Sequence, residues 1–239
     1  MPSRRVSPRS ASAPAPGDGY HHGALREALL AAAESLLLER GVDAFTLREC
    51  ARRAGVSHAA PAHHFGDARG LLTAFATIGF ERKADLMQHY RDAAAPDPVQ
   101  RLLAVGQAYI DFAVAHRAHF QLMYDSDRLD RSDAALLSAA TRSGDMLRGV
   151  MAEVMAAHAL PPATLPQRLL LAWAAVHGYA TLVLEGQCLA MFGLGVQQPR
   201  EASAAGSAML ALLAPALAGS AVADPPPRTR RRSVATPRR

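Results

Sequence analysis

Ten histidines and two cysteines are the side chains of this 239-residue chain best suited to hold a metal or move a proton. His58, His63 and His64 stand close together, and His21 adjoins His22. A metal site needs several donors at fixed spacing. No carboxylate or thiol stands at ligand spacing among these histidines, and no His-Glu-x-x-His pattern occurs. On a helix, His63 and His64 would also leave by different faces. No glycine-rich phosphate loop is present. The expectation is therefore a protein that is not an enzyme, with no metal and no cofactor. Cys50 and Cys188 fall in separate helical stretches and read as small buried apolar groups, in keeping with a reducing cytosol.

Composition points to helices. Half of the residues are apolar and 5% are aromatic. Most of the apolar content is Ala and Leu, which lose little entropy in a helix and fill a pleated sheet poorly. The net charge of +5 is unevenly spread. Residues 1–19 carry three Arg and one Asp, and residues 219–239 carry six Arg and one Asp, leaving the body near −2. Both ends are rich in Pro, Ser and Ala and read as disordered basic tails, able to neutralise phosphates. Pro14 and Pro16 stand where a signal peptide would need an apolar run. No apolar stretch reaches the roughly 20 residues that span a bilayer, so no membrane is expected as a partner.

Periodicity and caps divide the chain. Leu25, Leu29, Ala32 and Leu36 recur at helical spacing up to a stop at Gly41. Thr46 and Glu49 form a candidate capping box opening a short helix that Gly55 ends. Ser57 is placed to cap a third helix, His58 to about His64, with Pro61 disturbing its first turn. Asp67 caps a fourth helix, which runs to about Asp92. Asp97 and Pro98 start the next, and helices are expected near 98–115, 117–124, 133–158, 165–189 and 200–218. Thr164 and Gln167 allow a further capping box. The predicted fold is all-α. Residues 20–82 form a helix-turn-helix domain, with its motif near 46–65, and a long fourth helix joins it to a bundle over 83–218.

The turn itself carries the specific signal. Ala51 is small enough for two helices to approach, Gly55 suits a left-handed exit, Val56 is apolar at the corner, and Phe65 closes the far end. The segments Tyr20-His-His-Gly-Ala-Leu-Arg26, Thr46 to Pro61, and His64-Phe65-Gly-Asp67 with Leu71-Leu72 together resemble the N-terminal domain of the TetR/AcrR family of bacterial transcriptional regulators. Trp173-Ala-Ala-Val-His177-Gly178 is similar to a motif of one branch's C-terminal domain. The resemblance implies a homodimer that sets each third helix in a major groove of a near-palindromic operator. It also implies a repressor released by a small ligand of unknown identity.

On that resemblance, Ser57, His58, Ala59, Ala62 and His63 face the groove, His58 and His63 toward base edges or phosphates and Ala59 toward a thymine methyl. Thr46 and Arg48 at the second helix, and Tyr20, His21 and His22 before the first, are backbone contacts. Two positions depart from the family. Ala62 stands where a Tyr is common and Ala68 where a Lys is common, which weakens phosphate anchoring; Arg69 is a nearby substitute. Candidate ligand-pocket residues are Phe112, Phe120, Met123, Tyr124, Met146, Trp173 and His177, with Tyr179 beside them. Gly178 is expected to allow close helix packing. The helices at 165–189 and 200–218 are the expected dimer interface, with Ala204, Ala205, Ala208 and Ala211 as close-contact positions. The alternative is a helical dimer whose DNA binding is weakened or lost.

Overall fold

Helix-forming residues, punctuated by glycine and proline, produce an all-α chain. The computed structural model describes residues 18–125, 127–193 and 198–219. Nearly all of the two expected basic tails lies outside these residues. Ten α-helices and no strand occur among the described residues. They are α1 (Asp18–Arg40), α2 (Leu47–Ala54), α3 (Ala60–Phe65), α4 (Ala68–Ala93), α5 (Pro98–Ala115), α6 (Arg117–Met123), α7 (Ala134–Ala157), α8 (Leu165–Leu184), α9 (Gln187–Phe192) and α10 (Pro199–Leu217). Among the described residues no helix is long and apolar enough to cross a membrane.

The local signals act much as their chemistry dictates. Gly41 (φ +74°) and Gly55 (φ +68°) take the left-handed conformation that ends α1 and α2. Asp67 accepts the Gly70 N–H at 2.8 Å and Asp97 the Gln100 N–H at 2.8 Å, capping α4 and α5. Three expectations need correction. Tyr20, His21 and His22 lie within α1 rather than before it. The helix expected to run to 189 ends at Leu184, because Gly186 is left-handed (φ +71°) and breaks it before α9. Thr164 makes no capping box: its hydroxyl donates to the Pro161 carbonyl at 2.8 Å and accepts from Arg168 Nε at 3.1 Å, within a 3-10 turn over Pro162–Thr164.

The described residues form two compact units, the first reaching Ala84 and including His116–Arg142, the second comprising Asp85–Ala115 and the chain from Ser143 onward. So α6 and the acidic stretch after it cluster with the N-terminal helices. The reason is visible in the bonds of that stretch. The Asp130 N–H donates to Thr73 Oγ1 at 2.9 Å, Arg69 donates to the Asp127 carbonyl at 3.1 Å, and Arg128 pairs with Asp43. The core of the second unit gathers Met87, Leu102, Val105, Ala108, Val150, Met151, Val154, Met155, Ala172 and Leu217.

Helix packing in the second unit depends on small residues at two crossings. A β-carbon at Gly206 would stand 2.9 Å from Ile110 Cδ1 and 3.1 Å from Tyr179 Cε1, and one at Gly106 would stand 2.9 Å from Leu210 Cδ2. Gly178 does not have the expected packing role, since a β-carbon there would meet nothing within 4 Å. The end of α10 is closed by Arg168, which donates to the carbonyls of Ala216 (3.0 Å) and Leu217 (2.6 Å).

Candidate functional site

The short helices α2 and α3 are held by caps, charge pairs and one buried face. The Thr46 hydroxyl accepts the Glu49 N–H at 3.2 Å, one arm of the expected box. The Glu49 carboxylate is turned instead to Arg52 (2.7 and 2.8 Å) and Arg53 (3.4 Å). Those bonds, the Arg52 pair above all, hold the Glu49 carboxyl down at about 2. Arg53 also reaches α1, pairing with Glu39 and donating to Ser35 at 3.0 Å. Cys50 and Ala51 are fully buried, and the Cys50 thiol donates to the Leu29 carbonyl at 3.3 Å. Burial pushes that thiol up to about 11, so it behaves as packing rather than as a nucleophile. Both cysteines are free thiols.

The turn after Gly55 leads into α3, and here the expected cap fails. Ala59, in helical conformation, precedes the helix, and Ser57 offers only its carbonyl, to the Ala60 N–H at 3.1 Å. The cause is Pro61. Lacking an N–H, it cannot return a helical bond to Ser57, so the helix starts at Ala60 with Pro61 at its second position, which proline tolerates. Pro61 is buried and Ala60, His64 and Phe65 are half-buried, whereas Ser57, His58, Ala59, Ala62 and His63 are exposed. The five expected groove-facing residues are thus all uncovered, three in the turn before α3 and two on the helix. Thr46, Arg48 and Arg69 are exposed as well. The side chains of Tyr20, His21 and His22 lie outside the description.

Sequence reasoning missed what anchors α3. The Arg26 guanidinium lies 5.5 Å from the centre of the Phe65 ring, a cation–π contact from α1. Gly70 in the first turn of α4 sits so close to α3 that a β-carbon would overlap the Phe65 carbonyl oxygen. The Phe-Gly-Asp-x-x-Gly spacing of Phe65 to Gly70 was the available signal. Among the described residues, no group of three His, Cys, Asp or Glu is arranged to hold a metal ion.

The candidate pocket residues divide between the units. Phe120, Met123 and Tyr124 belong to the first; Phe112, Met146, Trp173 and His177 belong to the second. Phe112 is fully buried, and Met146 packs against the second unit's core. Trp173 is 43% exposed on α8, its ring 5.5 Å from that of His177. His177 Nδ1 lies 2.8 Å from the Tyr109 hydroxyl. Tyr179 donates to the Ala202 carbonyl at 2.6 Å, joining α8 to α10.

In the first unit α4 and α6 approach closely. A β-carbon at Gly79 would stand 2.7 Å from Met123 Sδ and 3.0 Å from His119 Cβ. His119, 2% exposed, stacks on Phe75 with ring centres 3.8 Å apart. Its Nδ1 makes no hydrogen bond and lies 3.7 Å from Glu34 of α1. Burial, then the charges of Arg82 and His116, lower its pKa to about 4. One turn along α4, Lys83 donates to the Tyr124 hydroxyl at 2.9 Å. Lys83 also went unremarked as a site. The signal was its register: it falls with Phe80, Ala84 and Met87 on an otherwise apolar stripe.

Two family models match the chain. Residues 29–75 match bacterial regulatory proteins, tetR family, and residues 102–193 match the tetracyclin repressor-like C-terminal domain. Among solved structures, a protein with unknown function from a Rhodococcus species is 37% identical, with a TM-score of 0.65 over 82% of this chain and 98% of that one. The TetR family transcriptional regulator PfmR from Thermus thermophilus is 18% identical, with a TM-score of 0.62 over 79% of this chain and 94% of its own. The fatty acid degradation regulator FadR from Bacillus halodurans is 13% identical, with a TM-score of 0.61 over 80% and 94%. The last two likenesses concern the fold alone. No curated protein matches the chain.

Proposed function

Since this chain belongs to the tetR family of bacterial regulatory proteins, which regulate transcription by binding DNA, we propose that it is a dimeric repressor released from its operator by a small ligand. The observation that carries the DNA reading is the exposure of Ser57, His58, Ala59, Ala62 and His63 around a buried Pro61. Exposed short and hydrogen-bonding side chains that run from the turn before α3 onto the helix suit the floor of a major groove. Thr46 and Arg48, at the start of α2, and Arg69 contact phosphates in this reading, as do Tyr20, His21 and His22. A near-palindromic operator follows from a two-fold dimer.

The dimer reading is supported by apolar surface on α8 and α10. Leu170, Leu171 and Trp173 are exposed on α8, and Leu212 is 84% exposed on α10. Isolated exposed leucines are ordinary, but three leucines and a tryptophan on two adjoining helices are costly to leave in water. Ala204, Ala208 and Ala211 are exposed on the same α10 and allow close approach. The candidate ligand residues fall in two sets, Phe120, Met123 and Tyr124 in the first unit and Phe112, Met146, Trp173 and His177 in the second, and a ligand held by one of these sets completes the reading.

One observation favours the second reading, a helical dimer with weakened DNA binding. Ala62 and Ala68 carry no phosphate donor, and Arg69 is already bonded to the Asp127 carbonyl. A gel-shift series on the DNA upstream of the protein's own gene separates the two. The repressor reading expects a retarded complex that His58→Ala or His63→Ala weakens about tenfold, the cost of roughly one lost base contact. No complex at low salt sinks it.

A further inference from the structure

Lys83 is the chain's one lysine, against twenty-five arginines. Among the described residues it is also one of the most hidden polar side chains, 2% exposed on α4. Its Nζ lies 2.9 Å from the Tyr124 hydroxyl, 4.8 Å from the centre of the Phe80 ring and 5.4 Å from that of Tyr124. The Phe120 ring meets Tyr124 edge-on at 5.3 Å. Tyr124 follows the last residue of α6 and is half-buried.

The choice of lysine here has a chemical meaning. A position that only had to carry a positive charge against aromatic rings would be served at least as well by arginine, which this chain uses everywhere else. Arginine cannot give up its proton near neutral pH; lysine can when it is desolvated. Burial lowers the Lys83 pKa to about 7. About half of the amine is then uncharged at pH 7, against about one part in three thousand for an ordinary lysine. An uncharged amine in an aromatic setting, with a hydroxyl in contact, is the arrangement of an activated nitrogen nucleophile.

We propose that Lys83 takes up a small carbonyl compound, an aldehyde or ketone with an apolar aromatic body, by reversible imine formation, and that this compound is the regulator's ligand. The proposal rests on the ligand-released reading above. The Nζ lone pair attacks the carbonyl carbon, and the carbonyl π pair moves to oxygen, which takes up a proton as nitrogen loses one. Loss of water from the carbinolamine then forms the C=N bond. Amine and carbonyl give imine and water, with no oxidant or reductant. The Tyr124 hydroxyl, 2.9 Å from Nζ, is in place to pass the proton from nitrogen to oxygen. Phe80 and Phe120 supply rings against which an aromatic body packs.

The test uses the full chain, benzaldehyde and sodium cyanoborohydride at pH 7, with peptide mapping by mass spectrometry and DNA binding measured in parallel. The expected result is a reduced adduct on Lys83 forming at least tenfold faster than on free Nα-acetyl-lysine, with DNA released as the adduct accumulates. Tyr124→Phe slows adduct formation several-fold, and Lys83→Met, with helicity retained, abolishes it. Lys83 left unlabelled while the N-terminal amine reacts overturns the proposal, and wild-type mapping decides this even if a variant fails to fold. Labelled Lys83 with unchanged DNA binding supports the imine site but overturns its role in release. Release by another compound with Lys83 unreactive upholds the regulator reading and overturns the imine site.

Discussion

Among the described residues the first unit buries Thr73, Thr77, Lys83 and His119, whereas the second, Ser143 apart, buries apolar side chains around Met87, Leu102, Val150 and Met151. Beside the buried Tyr109 hydroxyl on His177, the second unit has polar contacts that lie farther out. Tyr90 donates to Asp111 at 2.9 Å, and Arg101 pairs with Glu153 at 3.1 Å, all half-buried. Burying a group that must shed its charge makes an interior sensitive to protons; burying hydrocarbon makes it sensitive to volume. The first unit should therefore respond to pH, and the second to added atoms.

The largest effect should come from Lys83. In the folded chain it holds its proton only below about 7, whereas its ordinary value is 10.5. Between these limits the unfolded chain binds more protons, so stability rises with pH, by up to ~5 kcal/mol across the window. The penalty is complete below pH 7. Urea unfolding at pH 6.5, 8.5 and 10 should show that rise in the wild type and not in Lys83→Met. Equal slopes would mean that the amine is hydrated.

His119 should act next, at lower pH. Its pKa falls from 6.5 to about 4 on folding, so its contribution is full above 6.5 and is lost as pH drops toward 4. The loss is about 3 kcal/mol. His119→Phe, which keeps a ring against Phe75, should flatten that limb relative to wild type. If the acid limb is unchanged, Glu34 meets the incoming proton at no cost to the fold.

In the second unit the decisive variable should be space. Gly206→Ala pushes a methyl into Ile110 and Tyr179 and should cost about 1–2 kcal/mol at every pH. Gly149→Ala on α7, where a β-carbon meets nothing within 4 Å, should instead stabilise by roughly 0.5–1 kcal/mol through helix propensity. Thermal melts of the pair measure the contrast, and like signs would break it. Smallest is Thr46→Ala, about 1 kcal/mol for one lost cap. Hydrogen exchange should place that loss in α2 and leave the second unit's protection untouched.

Much of the fold was legible because its signals are local. Asp67, Asp97, Gly41 and Gly55 act within four residues of where they stand, and each ends or starts a helix as expected. The motif was legible for the same reason. Where reading failed, a competing local preference won: Pro61 withdrew the bond that a helix capped by Ser57 needed, and Gly186 cut α8 short of 189. Contacts between distant segments had no such signal. Lys83 and Tyr124 are 41 residues apart, and Tyr109 and His177 are 68 apart.

The chain's own text determined the all-α class and the helix-turn-helix, because backbone bonds four residues apart and a helical repeat set them. Tertiary structure alone decided that α6 joins the first unit, that Gly206 rather than Gly178 is a close crossing, and that the lone lysine is inside. Those outcomes depend on which surfaces exclude water together, and burial is a property of the packed molecule rather than of any residue in it.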